Sequence, residues 1–120
     1  MIITKQQISL AQKIAIKSDV VKAKMSAIAI SRSGEIICSS SNRLLLGNNV
    51  RYSEHAEASV IRKLQRLNAF NRFRDISIFV FRISSNGISM AMPCPKCQKL
   101  INKYPITVFY TTDNGTIERL

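Results

Sequence analysis

The chain is poor in metal-binding side chains and in acids. It has one histidine and three cysteines in 120 residues, and 7 Asp and Glu against 18 Lys and Arg. A structural metal site with four Cys or His ligands would have to use all of the former, Cys38 included. Three cysteines, two of them close together at Cys94 and Cys97, point to a reducing compartment, so the expected location is the cytoplasm, or the nucleus of a host that has one. No apolar run is long enough to span a bilayer, and the N-terminus lacks the basic, apolar and small-residue order of a signal peptide. There is no internal repeat and no low-complexity tract. The length suits a single domain over residues 1–120 with one core.

What the chain has in excess is positive charge. A net +11 steers anionic ligands toward the surface. One cluster is Arg62, Lys63, Arg66, Arg72 and Arg74, with Phe70 and Phe73 interleaved, a mixture that suits single-stranded nucleic acid. Another is Lys96, Lys99 and Lys103. The competing readings are a solvated basic surface, phenylalanines that cover a core edge, and a nucleotide phosphate that needs only one or two of these cations.

Thr4-Lys5-Gln6-Gln7 reads as a capping box with Ile3 and Ile8 as a hydrophobic staple, and predicts a helix from about Lys5 to Lys17 with Ile8, Ala11, Ile14 and Ala15 inward. Met25 to Ser31, the turn Arg32-Ser33-Gly34 and Glu35 to Ser40 form a predicted β-hairpin, with Cys38 a buried thiol in its second strand. Gly47-Asn48-Asn49 marks a loop. A second helix is expected from about Glu54 to Leu67, then a polar loop from Asn68 to Asp75. Ile76 to Phe81 is mostly apolar, as befits a central strand buried on both faces. A third helix runs from about Pro95 to Lys103, followed by a strand over Ile106 to Thr111, and Thr112-Asp113-Asn114-Gly115 turns the chain back through Thr116 to Leu120. Strand pairs alternating with helices indicate a layered α/β fold.

Two short stretches carry the chemistry: His55-Ala56-Glu57 and, 39 residues on from His55, Cys94 in Pro93-Cys94-Pro95-Lys96-Cys97. Cys94 and Cys97, three apart, lie about 60° apart on the first turn of a helix. Pro95 fits the first helical position, and the helix N-terminus favours thiolates. His55 and Glu57, two apart, would diverge by about 200° inside a regular helix, so they converge only from a helix start or its cap. The result is one imidazole, two thiols and a spare carboxylate, the parts of a catalytic zinc site with an open fourth position. His-x-Glu alone is weak, and Cys-x-x-Cys alone also fits a redox pair, half of a structural zinc site or two buried thiols.

Together, H-x-E and P-C-x-x-C resemble the zinc-dependent cytidine and deoxycytidylate deaminase superfamily, with similarity also to tRNA adenosine deaminases and nucleic-acid-editing deaminases. The resemblance implies zinc on His55, Cys94 and Cys97, with Glu57 as proton shuttle. It implies a three-layer α/β/α sandwich around a mixed five-stranded sheet. The hairpin at Thr112-Asp113-Asn114-Gly115 makes the last two strands antiparallel, as in the free-cytidine deaminases, whereas the adenosine and nucleic-acid-editing branches run them parallel. The resemblance makes Asn42, which follows Gly34-Glu35-Ile36-Ile37, a candidate to bind the sugar or base, the alternative being an Asn that turns the chain. Arg43 and Tyr52 flank the motif as candidates for phosphate contact and base stacking, and Ala56 lies within it. Met92 stands where tRNA adenosine deaminases carry Glu, and with Met90 it offers a soft apolar wall. The expected activity converts cytosine to uracil in a nucleoside, nucleotide or single-stranded nucleic acid. The alternatives are a tRNA-type adenosine deaminase and a non-catalytic nucleic-acid-binding protein with a vestigial zinc site. Relatives of this length associate to complete their pockets, so homo-oligomers are implied, with no membrane partner.

Overall fold

The computed structural model describes residues 3–20, 23–47 and 50–120, and of 45–47 and 50–53 the backbone alone. Helix α1 (Lys5–Ile16) begins where the capping box requires: Thr4 Oγ1 accepts from the Gln7 amide at 3.1 Å, and Gln7 Oε1 accepts from the Thr4 amide at 2.9 Å. Strands β1 (Lys24–Ile30) and β2 (Ile36–Ser41) form the expected hairpin, with a register shift between Ala29 and Ile30. Two further strands, β3 (Arg43–Gly47) and β4 (Val50–Glu54), pair as a separate antiparallel ribbon that the sequence did not suggest, and Asn48 and Asn49 of the expected loop between them lie outside the described residues. Helix α2 (Ala56–Arg66) follows, then a single-turn α3 (Ala69–Arg72) inside the segment read as a polar loop. Strand β5 (Ile76–Ser84) outlasts its apolar core because β6 (Gly87–Ser89) folds back on its end, with Gly87 at φ 103°. Helix α4 (Pro95–Ile101), β7 (Ile106–Thr111) and β8 (Ile117–Arg119) complete the described elements.

The main sheet runs β2-β1-β5-β7-β8, with β6 added to the end of β5. It is mixed: β5 is antiparallel to β1 and parallel to β7, and a parallel neighbour requires the crossover that α4 supplies. The final pair, β7 and β8, is antiparallel. Alternation along β1 and β5 sends side chains to two cores. Ile28, Ile30, Phe79 and Phe81 pack beneath Ala11 and Ala15 of α1. The two phenylalanines meet edge to face at 6.3 Å, and small alanines opposite large rings let the helix approach closely. On the other face Ala27, Ala29, Ile78 and Val80 pack against Val60, Ile61 and Leu64 of α2, with Ile101 of α4. Helix α1 on one face and α2, α3 and α4 on the other make the three-layer α/β/α sandwich. This arrangement lets the first turns of α2 and α4 meet above one end of β5.

Candidate metal centre and active site

His55 is the N-cap of α2, with φ −70° and ψ 146°, and Glu57 is the second residue of the helix. The extended cap conformation is what allows residues two apart to converge. Cys94 is likewise the N-cap of α4, with φ −67° and ψ 164°, Pro95 occupies the first turn, and Cys97 is buried three residues on. Gln98 braces this turn, its Nε2 donating to the Pro93 carbonyl at 2.8 Å.

The Nδ1 atom of His55 lies 3.3 Å from Cys97 Sγ and 3.8 Å from Cys94 Sγ, and the three ligand atoms fall within 4.8 Å of one another. Ligand bonds of ordinary length to a tetrahedral zinc put N and S about 3.6 Å apart, between the two observed values. The surroundings lack a cation in the way a metal would supply. Glu57 is only 1 % exposed and neither carboxylate oxygen has a hydrogen-bond partner, although Oε1 lies 3.4 Å from His55 Nδ1. Burial first, and then the Glu57 carboxylate, push the Cys97 thiol far up. The Cys97 and Lys96 amides at the helix start, the former foremost, lower Cys94, and proximity to Glu57 raises His55. Two cysteines that bind as thiolates, an imidazole and a nearby buried carboxylate suit a dication, and this N and S donor set fits zinc. Cys38 stands apart on β2, against the α2-side core, and among the described residues no fourth Cys, His, Asp or Glu joins the cluster. The four-ligand structural site is therefore excluded among these residues.

A cavity of about 210 Å³ opens above His55, Glu57 and Cys94. Asn42 and Met92 line it, as expected from the sequence, and so does Met90. Asn42 is buried with its amide engaged: Oδ1 accepts from Ser18 Oγ at 2.6 Å and from the Met25 amide at 2.9 Å, and Nδ2 donates to the Ala23 carbonyl at 2.7 Å. Two candidates stand elsewhere: Arg43 is exposed and leans toward Glu54 at 3.4 Å, and Ala56 is sealed in the core. The side chain of Tyr52 on β4 lies outside the described residues. The residues missed from the sequence are Val20, Ala23 and Met25 from the α1–β1 region, and Arg82. Arg82 had a readable signal, because it follows Ile78 and Val80 at the period of a strand and so shares their face.

The arginine-rich segment is not beside this cavity. A larger, shallow groove of about 460 Å³ is framed by Arg32, Arg72, Phe73 and Arg74 at the Ile76 end of β5, roughly 20 Å along the strand from Arg82 at about 3.3 Å per residue. It holds none of the metal-binding side chains. Phe70 stacks on Tyr104 with ring centres 5.0 Å apart, closing a core edge. Of the cations clustered in sequence, Arg62 is paired with Glu54 at 2.7 Å and Lys63 donates to the Ser39 carbonyl at 2.6 Å.

Three converging ligands, an open fourth side and a buried carboxylate with nothing to bind define a metal-dependent hydrolytic site. Residues 1–112 match the family model described as the cytidine and deoxycytidylate deaminase zinc-binding region, and the chain belongs to that family. A search of curated proteins gives no match. Family and geometry agree on zinc as the cofactor and on a zinc-dependent deaminase as the class of enzyme. Among the described residues no helix is long and apolar enough to cross a membrane.

Proposed function

We propose that the chain removes the amino group of cytosine by hydrolysis, giving uracil and ammonia, on a base carried by a nucleoside, a nucleotide or a single-stranded nucleic acid in the cytoplasm. The observation that carries this reading is Glu57, buried without a hydrogen-bond partner, 3.4 Å from His55 and lining the same cavity as His55 and Cys94. His55, Cys94 and Cys97 would hold zinc. When bound, zinc supplies the Lewis acidity that lowers the pKa of water to about 7. Glu57 accepts the proton that water loses as it attacks the ring carbon. It delivers that proton to the adjacent ring nitrogen, and a further proton transfer through the same carboxylate lets the amine leave as ammonia. A structural zinc site has no use for such a carboxylate.

Cytosine is supported by the antiparallel β7–β8 ending and by Met92 in place of a Glu before Pro93. The test is ammonia release by zinc-loaded protein from cytidine, deoxycytidine, their monophosphates, adenosine, and single-stranded DNA and RNA oligonucleotides. Glu57→Gln should lower kcat by roughly 10²- to 10⁴-fold with zinc content unchanged. A variant that releases ammonia at the parent rate would sink the mechanism, and activity confined to adenosines of the RNA oligonucleotide would favour the tRNA-type reading instead.

A further inference from the structure

Arg82 is where the inward face of β5 breaks its pattern. Ile76, Ile78 and Val80 all enter the α2-side core, and the next residue on that face is a guanidinium on the cavity wall. Apart from His55 it is the only basic side chain lining the cavity among the described residues. It belongs to none of their ion pairs. Its one hydrogen bond is a long one, from Nη1 to the Met90 carbonyl at 3.5 Å, and its Nε is buried without a partner. Arg62 also has a partnerless buried Nε, but its two terminal nitrogens are both taken by Glu54 at 2.7 Å. The terminal nitrogens of Arg82 carry no bond but that long one among the described residues.

The cavity limits what reaches that fork. At about 210 Å³ it is smaller than the roughly 300–1,000 Å³ of pockets that enclose a drug-sized ligand, so it takes a base but does not enclose a whole nucleotide, whose phosphate stays toward the mouth. Met90 and Met92 at that mouth are 39 % and 50 % exposed and bring no charge. The two terminal Nη groups of a guanidinium match two oxygens of one phosphate.

Resting on the deaminase reading above, we propose that Arg82 receives the phosphate on the substrate's sugar, and that the enzyme acts on phosphorylated nucleotides in preference to free nucleosides. The phosphate is a monoester of a free nucleotide or a diester within a single strand. The net charge of +11 concentrates such anions near the mouth.

The experiment compares kcat/KM for cytidine 5′-monophosphate with cytidine, adenosine 5′-monophosphate with adenosine, and a single-stranded oligonucleotide, in wild type, Arg82→Gln and Arg82→Lys. The monophosphate-to-nucleoside ratio should fall roughly 10- to 150-fold in Arg82→Gln, mainly through KM, as expected for losing hydrogen bonds to a charged group. Arg82→Lys should recover part of it by restoring charge without the fork. Arg82 dependence on the monophosphates identifies a monoester, and dependence on the oligonucleotide alone identifies a diester. Equal losses on nucleoside and nucleotide, or a wild type indifferent to phosphate, would overturn the assignment. Calorimetric binding of the same ligands to zinc-loaded Glu57→Gln separates the two readings. Phosphate-dependent binding that Arg82→Gln abolishes, with no ammonia from any wild-type reaction, would retire the deamination and keep the phosphate site. Absence of phosphate-dependent binding would retire the site.

Discussion

Asn42 and Glu57 are both buried polar side chains at the cavity, and they are treated in opposite ways by their neighbours. Asn42 is bonded to Ser18, Ala23 and Met25, so it ties the segment after α1 to the first strand. Asn42→Ala should lower the free energy of unfolding by about 2–4 kcal/mol in urea titration, because three buried groups lose their partner at once. A loss below a few tenths of a kcal/mol would show that the network relaxes around the gap. Cys38 gives a pH-dependent test. Burial raises its thiol above the ordinary value of 9.0, with Lys63 offsetting part of the effect. Below pH 9 the thiol is protonated in both states and nothing changes; above it the unfolded chain loses the proton first, and the folded state is progressively destabilised. Iodoacetamide at pH 8 should therefore label Cys38 much more slowly in native than in urea-unfolded protein, as read by mass spectrometry. Equal rates would mean that the thiol is open.

The residues of the metal centre were legible because coordination chemistry demands particular side chains at particular spacings. His55, Glu57, Cys94 and Cys97 are all where two short motifs placed them. Arg82, Met25 and Ala23 were not, since a cavity wall is assembled from strands far apart in sequence. Ala56 lies inside a motif, yet its side chain turns into the core.

Among the elements, the capped α1, the β1–β2 hairpin, β5, and the β7–β8 return were readable from caps, turns and apolar pattern. The β3–β4 ribbon was hidden because Leu44-Leu45-Leu46 does not alternate and the Asn pair looks like a loop. Helix α3 is four residues long, too short for any periodicity, and follows Asn68 at φ 55°. At the seam between ribbon and helix, Arg62 of α2 grips Glu54 through two hydrogen bonds of 2.7 Å, immediately before the cap residue His55. Glu54 is mostly buried and Arg62 about two-fifths exposed, so the pair should exceed an ordinary surface bridge. A double-mutant cycle with Glu54→Gln and Arg62→Met should give a coupling of about 1 kcal/mol. Zero coupling would leave the junction held by packing alone.

For the whole molecule, the layer order followed from the alternation of strand pairs with helices, whereas the position of the basic clusters did not follow from their spacing. Eighteen cations against seven acids repel one another throughout the surface. Raising sodium chloride from about 10 mM to 150 mM shortens the Debye length from about 30 Å to about 8 Å, so Tm by calorimetry should rise. A fall would mean that the few ion pairs outweigh the repulsion.

Strand β5 also acts as a ruler. Arg82 on the cavity wall and Ile76 beside the arginine groove lie roughly 20 Å apart along it at about 3.3 Å per residue. A single nucleotide seated over Glu57 is too short to reach Arg72 or Arg74, so replacing both with alanine should leave kcat/KM for a mononucleotide within experimental error. Only a ligand several units long spans the interval, which makes chain length itself a variable. Any influence of those arginines should be absent for the shortest oligonucleotides and switch on at the length that covers the strand.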